Sequence, residues 1–432
     1  MTANEHKPSV VQSASQAINP DFIVGPEVSA RRNTNRLLSF EQKLQGIDSA
    51  VEQVGRVVKA YGTSVYVSGI SASIGQRCTI TDRESGNIVY GDVVGLDNKQ
   101  VILNLLGGLD GLSNRSQVRL SSRAKEIAFS ESLTGCIVDG AGRVIYQPHE
   151  LTDTIQVSID RAAPNPLTRA PIKNILCTGI KSIDGLLSVG EGQRLGIFAA
   201  AGVGKSTLLS MLAKHADADV IVIGLIGERG REVNEFIEHN LGAQGLAKSV
   251  LVVSTSDRPA LERVSAAKTA TTIAEGFSAR GKRVLLLIDS ITRYARALRE
   301  IGLSVGEPPS RRGYPPSVFA ELPRLLERAG NDDTGSITAF YTVLEEDEDT
   351  SDPVSEEVKS ILDGHIELSR KIAEKGHYPP IDTLTSASRV FHTIANDSHT
   401  RAAIAFRQQM SKYQDIEILL AMGEYQPGSD KL

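Results

Sequence analysis

The stretch Ala201-Gly-Val-Gly-Lys-Ser206 constrains the fold of this chain more than any other. An apolar run, Leu195-Gly-Ile-Phe198, leads into it and a helix-patterned segment follows. That is the strand, glycine-loop and helix context a phosphate-binding loop requires. Backbone N–H groups of Gly202, Val203, Gly204, Lys205 and Ser206 can wrap a β-phosphate, while the helix N-terminus adds the positive end of its dipole. Lys205 then reaches the β- and γ-phosphates and the Ser206 hydroxyl holds Mg²⁺; Ala201 and Thr207 complete the predicted nucleotide-binding stretch. The strict pattern asks for glycine at its first position, where this chain has Ala199.

At 432 residues the chain is too long for one ordinary domain, and its 41% apolar content supplies a sizeable core. A net charge of −5 argues against a general nucleic-acid binder, which usually carries a basic excess. Cys78, Cys136 and Cys177 are odd in number and far apart, so neither a disulfide framework nor a zinc site is indicated and a reducing cytoplasm is the expected home. Residues 1–21 are polar and do not read as a secretory signal, and no run is long enough to span a bilayer. The expectation is a soluble protein.

Taken in order, residues 1–50 read as a mobile tail followed by a short helix over 35–47, where Leu37, Leu38, Phe40, Leu44 and Ile47 share a face. Residues 51–122 change to short β-branched runs divided by turn residues. Strands are expected at 54–58, 64–68, 77–80, 87–90, 101–105 and 117–120, as in a small six-stranded β-barrel. The barrel lacks a dense basic and aromatic surface, which favours an assembly role over oligonucleotide binding. A β-rich bridge at 134–143 and a proline-rich connection follow. From there, apolar strands at 220–226, 250–253, 284–288 and 337–344 alternate with helical patterns at 206–215, 231–241, 259–280 and 291–301. The pattern predicts an α/β core over 123–395, a parallel sheet with covered faces whose ligand lies beyond the carboxyl ends of the strands. A helical domain over 396–432 closes the chain.

Two further strand ends carry chemistry. The run ending at Ile288 delivers Asp289, a carboxylate suited to Mg²⁺ coordination through water and hence a partner for Ser206. The run ending at Ile226 delivers Gly227-Glu-Arg-Gly-Arg-Glu232. Glu228 emerges at the same edge to position and polarise an attacking water, Arg229 is a candidate γ-phosphate contact, and Arg231 and Glu232 support the helix that starts there.

Ala201-Gly-Val-Gly-Lys-Ser206, Gly227-Glu-Arg-Gly-Arg-Glu232 and Leu286-Leu-Ile-Asp-Ser-Ile-Thr-Arg-Tyr-Ala295 resemble the catalytic subunits of rotary ATP synthases and their secretion relatives. Gly306-Glu-Pro-Pro-Ser-Arg-Arg-Gly-Tyr-Pro-Pro-Ser-Val-Phe319, Leu322-Pro-Arg-Leu-Leu-Glu-Arg328, Ser360-Ile-Leu-Asp-Gly-His-Ile-Glu-Leu-Ser369 and Gly376-His-Tyr-Pro-Pro-Ile-Asp382 are similar to the ATPases of type III protein secretion. The resemblance runs from about Val54 to the C-terminus. It implies an N-terminal six-stranded barrel, a RecA-like core and a helical C-terminal domain, assembled as a homohexamer with nucleotide sites between subunits. The motif Ser386-Ala-Ser-Arg389 makes Arg389 the candidate arginine finger, and Tyr425 falls near the family's adenine pocket, either stacking on the base or packing in the core. Ala200 stands where the family usually has glycine, and the chain ends at Leu432 where relatives usually continue.

The resemblance implies ATP and Mg as cofactor set. It implies secretion chaperones, export substrates, and stalk and stator proteins as partners, and docking at the cytoplasmic face of the inner membrane through those partners. No stable nucleic-acid partner is expected. The injectisome form is preferred over a flagellar export ATPase. A rotary ATPase catalytic subunit, an RNA-dependent translocase and a non-catalytic nucleotide-binding scaffold are the rival readings; the acidic balance argues against the translocase, and Lys205, Glu228 and Asp289 together argue against the scaffold.

Overall fold

A computed structural model describes residues 53–82, 86–121, 125–345 and 352–425. The expected tail and helix before residue 51, the acidic segment after Glu345 and the last seven residues lie outside these. No helix among the described residues is long and apolar enough to cross a membrane.

The first six strands, Val54–Tyr61, Ser64–Ser68, Arg77–Thr81, Ile88–Asp97, Gln100–Leu105 and Gln117–Leu120, close into the expected barrel. Alternate residues such as Val65, Val67, Cys78, Ile80, Leu103 and Val118 point inward and fill it. The fourth strand is much longer than the expected 87–90, because Gly91 and Gly95 read as turn residues. In the barrel Gly91 permits close packing: a Cβ there would meet the Asn104 carbonyl oxygen and Leu105 Cδ2 at 3.0 Å.

The core is built on a ten-stranded sheet. Its main path runs Ile381–Ser388, Gly364–Leu368, Arg194–Ala200, Ser336–Glu345, Arg283–Asp289, Val220–Ile226, Ser249–Ser254, Ile137–Asp139 and Val144–Tyr146. The strands from Gly364–Leu368 to Ile137–Asp139 are parallel, as the apolar runs predicted. Both ends depart from that expectation: Ile381–Ser388 and Val144–Tyr146 are antiparallel to their neighbours. The β-rich bridge is therefore part of this sheet, joined through Leu251 opposite Ile137.

Every residue of Val220–Ile226 is buried, which explains its unbroken apolar character. Its side chains alternate between two apolar clusters, Val220 and Val222 entering one, Ile221 and Ile223 the other. The first cluster includes the helix Ala260–Ser278, the second the helix Lys205–His215, so helices cover both faces. The segment expected as one helix over 231–241 begins as the helix Gly230–Glu235 and widens into a π-helical stretch, Phe236–Leu241.

Barrel and core meet through Asn104, whose Nδ2 donates to Ser304 Oγ at 3.4 Å, and through Lys125, which lies 2.9 Å from Asp92 and 3.2 Å from Asp160. The closing helix Asp397–Met422 starts at Asn396, whose side chain accepts from the His399 N–H, and ends at Gly423 with φ 73°. It is fixed to the core by Arg407, which donates to the Leu384 and Ser386 carbonyls.

The three cysteines are free, with Cys78 and Cys136 buried and Cys177 exposed. Burial and then the Asp92 carboxylate push the Cys78 thiol up to about 11, and burial also raises Cys136. Maleimide treatment of the native protein near neutral pH is therefore expected to modify one thiol, Cys177, and to reach all three only after unfolding, as mass spectrometry of the intact chain will show.

Candidate functional site

Because the inner strands are parallel, their carboxyl ends lie along one edge, and four strands with separate sequence origins bring residues there. The strand Arg194–Ala200 delivers the phosphate loop, Val220–Ile226 delivers Glu228, Arg283–Asp289 ends in Asp289, and Ser336–Glu345 carries Thr342. Gly202 has φ 81° and Gly204 φ 104°, left-handed backbone that lets the loop fold over the start of the helix Lys205–His215. No heavy atom lies within 4 Å of a Cβ placed on Gly202, and only Pro380 approaches one placed on Gly204. Ala199 and Ala200 lie in the extended strand, paired with Leu344 and Glu345, where glycine is not needed. Ser206 and Thr207 are exposed at the first turn of the helix, as an incoming phosphate and cation require.

The charged groups are already engaged with each other. Lys205 Nζ lies 2.5 Å from Asp289 Oδ1 and 3.7 Å from Glu228 Oε1, so the aspartate holds the lysine. Thr342 Oγ1 donates to the same Asp289 oxygen at 2.8 Å. Glu228 is gripped instead by Arg293, whose Nε and Nη2 donate to its two carboxylate oxygens at 2.9 and 3.0 Å. This is a bidentate guanidinium fork, more directional than the single lysine contact. Glu228 and Asp289 are 8% and 4% exposed. Burial, and then repulsion from Asp289, raise the Glu228 carboxyl above the ordinary range against the pull of Lys205 and Arg293.

Lys205, Ser206, Glu228 and Asp289 are thus brought to one edge. Arg229 is not part of the charged cluster: its side chain is 76% exposed and pairs with Glu232 at 2.7 Å. Tyr425 is half-buried two residues beyond Gly423. Arg389 follows the reversed edge strand. Its N–H donates to the Asp363 carbonyl, and the Asp363 N–H donates to Arg194, the first residue of the phosphate-loop strand. At about 3.3 Å per residue, six residues of strand put the Arg389 backbone roughly 20 Å from the loop of its own chain, with its guanidinium donating to the Lys359 carbonyl.

Sequence reasoning missed Arg293 and Thr342 as members of the site. Arg293 lies four residues after Asp289, on the first turn of the helix Ile291–Ser304, a spacing that returns the side chain to the strand end. Thr342 sits inside an apolar run where a hydroxyl was the only signal. Tyr378 was also passed over: it is 64% exposed and stands two residues before Pro380, whose Cδ comes within 3.9 Å of a Cβ placed on Gly204.

The raised Glu228 carboxyl has a consequence for stability. A carboxyl whose folded value exceeds its unfolded one favours the folded state when protonated, and that contribution is lost as pH rises through the folded value. Glu228→Gln keeps the group neutral, so the variant's melting temperature should gain on the parent's as pH rises upward from the ordinary carboxylate range. Differential scanning fluorimetry over that rise checks it; a constant gap contradicts the assigned direction.

Residues 179–388 match the ATP synthase alpha/beta family, nucleotide-binding domain, and residues 395–432 match the T3SS EscN ATPase C-terminal domain. A type 3 secretion system ATPase of Xanthomonas euvesicatoria is 51% identical over 376 residues, covering 87% of this chain and 85% of that protein. A flagellum-specific ATP synthase of Pseudomonas aeruginosa is 46% identical over 403 residues, covering 91% and 89%. The assembled ATPase EscN of enteropathogenic E. coli superposes with a TM-score of 0.82 at 46% identity, over 87% of this chain and 90% of that one. EscN in complex with its central stalk EscO gives 0.79 at 45% identity, over the same shares. A phosphate loop facing two buried carboxylates, on a fold shared over most of the chain with these proteins, shows that the protein is an ATPase and belongs to the type 3 secretion system ATPases.

Proposed function

We propose that the chain hydrolyses Mg-ATP as a homohexameric ring, each site lying between two subunits, and that the free energy drives release of chaperones from export substrates and unfolding of those substrates. The observation that carries the reading is the Lys205–Asp289–Glu228–Arg293 cluster at the mouth of an open phosphate loop. The backbone of Arg389, at the opposite end of the sheet from its own loop, supports the intersubunit part, as does the assembled form of EscN.

The residues present fit a nucleotide with its cation. The Lys205 ammonium is neutralised by Asp289. A triphosphate entering the loop offers Lys205 a stronger anion, so the lysine transfers to phosphate and Asp289 is released. Asp289 and the Ser206 hydroxyl would then hold Mg²⁺, which when bound neutralises charge building on the phosphate oxygens. Glu228, its plane fixed by the Arg293 fork, accepts a hydrogen bond from water and aims its lone pair at the γ-phosphorus. Arg389 of the adjoining subunit stabilises charge on the transferring group, a contribution worth about 10³ to 10⁵ in rate. Tyr378, two residues before the Pro380 that faces Gly204, and Tyr425 are the two candidate surfaces for the base. Stalk and stator proteins are the proposed fixed partners, holding the ring at the inner face of the membrane; a central stalk accompanies EscN in one of its solved forms.

Lys205→Ala and Glu228→Gln are each expected to abolish phosphate release, with fluorescent-nucleotide binding lost in the first and retained in the second. Normal turnover in either variant removes the assigned role. Arg389→Ala should lower turnover by about 10³ or more without weakening nucleotide binding. Mixing it with Glu228→Gln should restore part of the activity, because some interfaces then pair an intact Glu228 with an intact Arg389; no restoration in demonstrably mixed rings would place Arg389 outside the neighbour's site.

A further inference from the structure

One residue outside the loop touches both the nucleotide edge of the sheet and the arginine at its far edge. Glu345 is paired with Ala200, the last strand residue before the phosphate loop, and Glu367 on the other flanking strand is paired with Phe198. Lys359, in the last turn of the helix Pro353–Ile361, reaches all three: its Nζ lies 2.9 Å from Glu367 Oε1, 3.5 Å from Glu345 Oε1, and 4.5 Å from the centroid of the Phe198 ring. The backbone carbonyl of the same residue accepts a hydrogen bond from Arg389 Nη2 at 3.3 Å. That carbonyl belongs to the last turn of the helix, where intrahelical donors run out, so it is free to hold a guanidinium.

Each of these ion pairs alone would be weak, since the three side chains are 28% to 34% exposed. Their value lies in geometry. The lysine is clamped between two strands and an aromatic face, so its backbone follows the strand that ends in the phosphate loop. Burial opposes the charge on Lys359, but the hydrogen bond to Glu367 and the proximity of Glu345 outweigh it and keep the ammonium above its usual range.

We propose that Lys359 is a positioning residue that couples its own subunit's phosphate loop to the placement of Arg389, the group offered to the neighbouring site. The proposal rests on the reading that Arg389 acts between subunits. A shift of the strand end beside Ala200 displaces Glu345; the clamped lysine moves with it, and the carbonyl holding Arg389 moves in turn. Occupancy of one site thereby biases the arginine available to the next.

Lys359→Met keeps most of the aliphatic stem and removes the charge, while Lys359→Arg restores it. The expected result is a fall in kcat of about tenfold for Lys359→Met, within the usual range of coupling between sites. KM, nucleotide affinity and ring size should stay unchanged, and Lys359→Arg should recover most of the rate. Single-turnover measurements should find Lys359→Met/Arg389→Ala no slower than Arg389→Ala alone, because both changes act through the same group.

Unchanged kcat in Lys359→Met overturns the proposal. So does a further tenfold loss in the Arg389→Ala background, which assigns Lys359 a separate role, and so does weakened nucleotide binding or ring assembly. Arg389→Ala with normal turnover sinks the intersubunit reading itself, whatever Lys359→Met does, and the coupling falls with it.

Discussion

The site depends on a single constraint: buried parallel strands end along one edge. Residues far apart in the chain, Lys205, Glu228, Asp289 and Thr342, are neighbours because each leaves or lines the carboxyl end of such a strand. The apolar runs 220–226 and 284–288 keep these strands inside the sheet, helices cover both faces, and the carboxylates of Glu228 and Asp289 are buried beneath the loop. Removing that burial would leave Lys205, Glu228 and Asp289 as ordinary surface charges.

Within that frame the cations are divided by geometry. Asp289 holds Lys205 at 2.5 Å, while Glu228, at 3.7 Å from the same ammonium, is left to Arg293 and its fork of two hydrogen bonds. The division separates a displaceable contact from a fixed one. The lysine is held by a single carboxylate oxygen and can transfer to phosphate, whereas the water-orienting glutamate is locked in plane at two points. Nucleotide binding can thus rearrange one half of the cluster and leave the other half aligned.

Much of this was legible in the residues. Glycines at 202 and 204 announced left-handed backbone, unbroken apolar runs announced inner strands, and carboxylates directly after such runs announced the site. The concern over Ala199 and Ala200 dissolves in the structure, because both stand in extended backbone ahead of the turn. Arg293 escaped notice because its role depends on one helical turn bringing it back to Glu228, a contact across 65 positions in the chain. The strand Ile381–Ser388 escaped because its threonines and serines suit an edge and show no apolar run. Arg389 was identified by resemblance alone; an exposed arginine after a polar strand has no local chemical signature.

That polar edge strand runs against its neighbours. A strand of the usual direction would have carried its terminal arginine toward the phosphate loop of the same chain; reversal carries it to the opposite rim. On the proposed mechanism, a lone copy therefore holds a loaded nucleotide without the means to discharge it. Fuel is conserved until copies stand side by side, and the direction of one strand serves as the safety catch on the motor.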